Sequence, residues 1–168
     1  MLVHAMHVVA LATQCICRTY TPDLVPCSAK AGERTVFVTE AEVTELPNIA
    51  TATLILQVQV DVELSPNTGI EVTIDNGRNS SCSSASGPCH YKLCDPITDI
   101  EEQLFEAFGS RCPVPSGSYS VKIMLEETSS PRDAESVPKV TIRLNITDKD
   151  KPVGCTALVF DPDNNSAP

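Results

Sequence analysis

Four cysteines and a histidine, Cys82, Cys89, His90, Cys94 and Cys112, crowd into one turn-rich stretch of the chain. Thiolates and an imidazole are the usual ligands of zinc. Zinc sites, however, normally use pairs of short C-x2-4-C spacings, and only Cys89 and Cys94 approach one. Cys89 beside His90 resembles a nucleophile next to its base. Adjacent residues on a strand point to opposite faces, and a cysteine held in a disulfide is no nucleophile. His90 is also the sole histidine beyond residue 17, so a Ser-His-Asp triad would have to use it. Neither a G-x-S-x-G elbow nor an H-E-x-x-H helix accompanies it. The paired carboxylates Glu101 with Glu102, and Glu126 with Glu127, read as solvated faces, because glycosidase chemistry would need them to converge across a cleft. Asp161, Asp163 and Asn165 mimic the first ligands of a calcium loop but lack its glycine and closing glutamate. The reading is therefore no catalytic residue, no metal and no cofactor, with the cysteines held as disulfides in an oxidising compartment.

The remaining cysteines agree with that compartment. Cys15 and Cys17 lie in an apolar opening segment, residues 1–17, that carries no Asp, Glu, Lys or Arg. This segment is expected to be a signal peptide. Cleavage after Cys17 would leave six cysteines, an even number able to pair completely, and a single domain over residues 18–168. Sequons at Asn79 and Asn145, with a third at Asn164 near the end, suit a secreted glycoprotein. No later apolar run is long enough to span a bilayer as a helix. The formal charge of -10 excludes nucleic acid as a natural partner, since no Lys/Arg cluster offsets the repulsion from phosphate.

These residues must be positioned by strands. Between residues 53 and 64, Leu54, Leu56, Val58, Val60, Val62 and Leu64 alternate with mainly polar neighbours, the pattern of a half-buried antiparallel strand. Looser alternation covers residues 35–43, 70–74, 119–125 and 140–146, and a last short strand is expected over 155–160. Turn chemistry at 65–69 and 115–117 separates them, so the fold expected is an all-β sandwich or open barrel. One segment departs from this period. Ile100, Leu104, Phe105 and Phe108 recur at helical spacing behind Thr98 and Asp99, which predicts a short amphipathic helix over 99–108, a cover for one end of the sandwich or a lid. Residues 126–138, polar and without period, are expected to form a hairpin loop.

The run Cys112-Pro113-Val114-Pro115-Ser116-Gly117-Ser118-Tyr119-Ser120, an apolar strand, and Gly154-Cys155 opening a final strand resemble the C-terminal half of an ML lipid-recognition domain. Cys82 and Cys89 with six residues between them, Cys94-Asp95 before a helical stretch, and Cys112-Pro113 are similar to its ganglioside-activator branch, over roughly residues 27–160. The interval from Cys89 to Cys94 is one residue shorter than in that branch, and residues 101–111 hold no extra cysteine loop.

The resemblance implies an immunoglobulin-like β-sandwich or β-cup with an apolar cavity, one short helix and three disulfides. The pairs it implies are Cys27 with Cys155, Cys82 with Cys89, and Cys94 with Cys112. It also implies a non-enzymatic lipid-binding and lipid-transfer protein, secreted or in the lysosomal lumen. Such a protein touches a membrane transiently, extracts a glycosphingolipid, and presents it to a soluble hydrolase. The expected cavity walls are Leu54, Leu56, Val58, Val60, Tyr119, Val121, Ile123, Ile142 and Leu144, with Phe105 and Phe108 at the rim. Other branches of the superfamily would take a sterol or a bacterial lipid in the same place. From a different class, a secreted adhesion or inhibitory β-sandwich would fill that space with a dry core.

Overall fold

The computed structural model describes residues 19–27, 34–44, 51–75, 80–82, 90–126 and 139–161. The expected signal peptide, the sequons at Asn79 and Asn164, Cys89, and nearly all of the expected hairpin loop lie outside them.

Long alternating runs become the central strands of two antiparallel sheets that face each other. The first sheet has the order β1-β3-β4-β8, from β1 (Thr19–Tyr20), β3 (Val36–Thr44), β4 (Thr51–Val60) and β8 (Gly117–Glu126). The second runs β2-β10-β9-β5-β6, with β7 also paired to β5. Its members are β2 (Asp23–Pro26), β5 (Gly69–Asp75), β6 (Ser80–Cys82), β7 (His90–Lys92), β9 (Val140–Asp148) and β10 (Lys151–Phe160). The inward-facing rows of both sheets merge in one buried core, for example Leu54, Leu56, Val58 and Val60 against Ile70, Val72, Ile142 and Leu144. This is the all-β sandwich that the alternation predicts.

Departures from the predicted boundaries have local causes. The strand expected to continue to Leu64 stops at Val60, because Val60 pairs with Val36 on one side and Gly117 on the other, where both neighbouring strands begin. The chain then turns, Val62 becomes exposed, and Leu64 re-enters the core through two hydrogen bonds to Val114 (2.9 and 3.0 Å). In β3 the register shifts between Val38 and Glu40, and this bulge moves the buried phase from Val36 to Ala41 and Val43. The last strand starts at Lys151 rather than 155, its early part masked in sequence by Pro152, Gly154 and a register shift between them. Lys149 and Asp150, at φ of 51° and 62°, form the two-residue turn that joins β9 to β10.

Two opposite edges of the sandwich are closed differently. At one, β10 meets β3: Thr35 N–H donates to the Val153 carbonyl at 2.9 Å, and a Cβ on Gly154 would lie 2.7 Å from the Val36 carbonyl oxygen. Only a glycine admits that approach. At the other, helix α1 (Asp99–Ala107) lies across the gap, packed against β8 of the first sheet and β7 of the second. Cys27 bonds to Cys155 across 128 residues of chain, and Cys94 bonds to Cys112 around the helix. The pair expected between Cys82 and Cys89 lies outside the described residues.

Candidate functional site

Where the two sheets face each other, an apolar seam holds a void of about 10 Å³. That is room for one water at most, and a site without polar partners stays dry. Eight of its nine lining residues are strand residues: Val38, Leu56, Val58, Ile70, Val121, Ile123, Leu144 and Ile146. The ninth, Phe108, comes from the end of the helix.

Of the residues predicted for the cavity, Leu56, Val58, Val121, Ile123, Leu144 and Phe108 meet at this void. Leu54, Val60 and Ile142 are buried in the same core but do not border it. Tyr119 is half-buried against the core, its ring centroid 5.0 Å from that of Phe108, and its hydroxyl donates to the Pro115 carbonyl at 2.7 Å. Phe105 is half-buried and does not border the void. The helical period places Leu104 and Phe108 inward, and Phe105 falls a step off that face. Val38, Ile70 and Ile146 were not singled out by sequence. The same alternation carried Ile70 and Ile146, whereas the β3 bulge obscured Val38.

The helix is set in place by polar groups. Thr98 Oγ1 accepts from Glu101 N–H at 3.3 Å, and Glu101 Oε2 accepts from Thr98 N–H at 3.0 Å, a reciprocal capping box. Glu101 Oε2 also accepts from Ile97 N–H (2.8 Å), and Oε1 from Lys92 N–H on β7 (2.9 Å). Glu101 is 6% exposed, so the solvated pairing expected with Glu102 does not hold: Glu102 is exposed and Glu101 is a buried clamp. Burial pushes its carboxyl pKa up, but the hydrogen bonds from Lys92, Ile97 and Thr98 together outweigh this and hold it below the usual value. At the other end of the helix, Gly109 N–H donates to Glu106 and Ser110 N–H to Phe105, both at 2.9 Å, with Gly109 at φ 86° and Ser110 at φ 53°. This is a Schellman ending.

A second clamp joins the 65–69 turn to the β9–β10 hairpin. Asp148 Oδ1 accepts from the Ser65 N–H (3.2 Å), the Ser65 hydroxyl and the Thr68 hydroxyl (2.9 Å). Burial raises the Asp148 pKa, the bonds from Ser65 and Thr68 and the nearby Lys149 charge lower it, and the lowering prevails.

Cys94 and Cys112 are bonded to each other, and among the described residues no group of three or more His, Cys, Asp or Glu side chains is placed to hold a metal. His90 is exposed on β7 with its imidazole over the bare Cα of Gly69, filling the space a side chain there would need. Asn145 is half-buried in β9, its Nδ2 donating to Glu71 Oε2 at 3.4 Å. Among the described residues no helix is long and apolar enough to cross a membrane.

No known family model matches this chain, and no curated protein matches it. Among solved structures the chain is similar to the crystal structure of a Niemann-Pick type C2 protein from the Japanese carpenter ant. The identity is 12%, 83% of this chain and 88% of that one are covered, and the TM-score is 0.38.

Proposed function

We propose that this protein binds and transfers a lipid, in the manner of an ML domain, taking the hydrocarbon between its two sheets and leaving the head group at the edge under α1. The observation that carries the reading is the seam itself: among the described residues, nine converging apolar side chains, no polar residue among them, and the helix end as the non-sheet wall. The seam is closed around about 10 Å³, so uptake requires the sheets to part. Each buried CH2 contributes about 0.8 kcal/mol, and a chain of about 16 carbons contributes roughly 12 kcal/mol relative to water. A chain leaving a bilayer surrenders the same burial, so the seam must enclose it to make transfer neutral. No catalytic residue is needed for this.

The finer assignment is a ganglioside-activator-like protein, secreted or lysosomal, that presents a glycosphingolipid to a soluble hydrolase. It rests on the cysteine spacing, on the Cys27–Cys155 closure and on the Cys94–Cys112 bracket around the helix. Mass spectrometry of lipid copurifying with the secreted protein tests it. Sphingolipid is the expected finding, and sterol without sphingolipid would move the protein to the sterol-binding branch.

The small void favours a second reading, a secreted adhesion or inhibitory sandwich with a dry core. Titration with a fluorescent long-chain fatty acid separates the two. Saturable binding, displaced by unlabelled lipid, supports transfer, and its absence between about pH 4.5 and pH 7.5, from just above the usual carboxylate values to above that of histidine, supports the dry core.

A further inference from the structure

We infer that Phe108 is the gate of the seam and that it opens by a swing of the C-terminal end of α1 about an N-terminal end held fixed by Glu101. The inference rests on the lipid-binding reading and adds the route by which a chain gets in.

Three observations converge. Among the described residues, Phe108 is the one bordering the void that no strand supplies, and it is 1% exposed. It is carried by the end of the helix that bridges β8 of the first sheet and β7 of the second. A ligand chain entering there meets Phe108 first.

The two ends of the helix are held unequally. The N-terminal end is anchored by Glu101 on three backbone N–H groups, one of them on β7, and follows Cys94, which is 1% exposed. The C-terminal end runs into Gly109 and Ser110, both exposed and both at positive φ, and the side of Gly109 where a Cβ would lie has nothing within 4 Å. Arg111, Cys112 and Pro113 are exposed as well. Because Cys112 is tied to Cys94 and Val114 is bonded to Leu64, withdrawing Phe108 unwinds the last turn: it breaks the two backbone bonds of the Schellman ending and the ring contact with Tyr119, and leaves the Glu101 clamp whole. The Cys94–Cys112 bond limits its reach, so the helix opens without leaving the domain.

Hydrogen exchange on the purified protein, with and without a fluorescent polyene fatty acid, tests this. Binding of the probe should speed exchange at the amides of Gly109 and Ser110 roughly tenfold, as the loss of their bonds implies, and leave Lys92, Ile97 and Thr98 protected. Phe108→Ala should take up the probe from phosphatidylcholine vesicles faster than wild type, and Phe108→Leu should fall between. Saturable binding with Gly109 and Ser110 unchanged, or with Ile97 and Thr98 released as well, would overturn the gate while leaving lipid binding intact. No saturable binding would remove the lipid-binding reading and the gate with it. Should Phe108→Ala fail to fold, the exchange pattern of the wild-type protein decides.

Discussion

The seam between the sheets and the rim around α1 are held by opposite kinds of force. Among the described residues the seam is lined wholly by hydrocarbon and aromatic carbon, so its contacts include no hydrogen bond and no titrating group. The rim is held by carboxylates on backbone N–H and hydroxyl groups, at Glu101 and Asp148, and by the Cys94–Cys112 bond. Charge-assisted bonds of this kind are short-ranged and break abruptly, whereas apolar burial yields in proportion to area. The proposed carrier would keep such a frame while its apolar interior yields to hydrocarbon.

That contrast can be broken from either side. The largest effect is expected inside the seam: Leu144→Ala should lower stability by about 3 to 4 kcal/mol, and denaturant unfolding should return the same loss at pH 7 and at pH 4. Removing the rim disulfide, Cys94→Ser with Cys112→Ser, should cost about 3 kcal/mol for its 18-residue separation in the chain-entropy model, and thermal unfolding measures it. Glu101→Gln should cost about 2 kcal/mol at pH 7, because one oxygen is replaced by a donor facing backbone N–H groups.

The sign of its pH dependence follows from linkage. A carboxyl whose folded pKa lies below its unfolded value contributes fully above the unfolded value, near 4.3 for glutamate, and loses that contribution as pH falls through the folded value. The gap between wild type and Glu101→Gln should therefore be constant from pH 7 to about pH 5 and narrow below about pH 4. A gap that stays constant on down to about pH 3 would mean that the clamp titrates like an exposed acid. The smallest effect, about 1 kcal/mol with the same sign of pH dependence, is expected for Asp148→Asn.

Much of this frame was legible in the chain. The alternation of Leu54 through Val60 placed the inward face of β4, and the 3.6-residue period with Thr98 ahead of it placed α1 within a residue of its observed end. Short pieces were not: β1, β2, β6 and β7 span two to four residues each, too few for a period to show. Glu101 was misread because a glutamate next to another looks solvated, although T-x-x-E from Thr98 to Glu101 carried the capping-box signal. Asp148 had no local signal at all, since its partners Ser65 and Thr68 lie 83 and 80 residues away. The volume of the seam was equally hidden. Alternation says which side chains face inward, and only their shapes in contact decide whether about 10 Å³ or a full cavity remains.

The close approach of Gly154 to Val36 has a mechanical consequence. With backbone against backbone where β10 meets β3, that edge is the bound spine of a book, and the proposed opening lies at the fore-edge, where β8 and β7 are spanned by the helix. Small rotations at such a spine become larger separations at the far side. For the proposed carrier, loading is then directional: it presents the fore-edge, not the spine, to the surface that supplies the lipid.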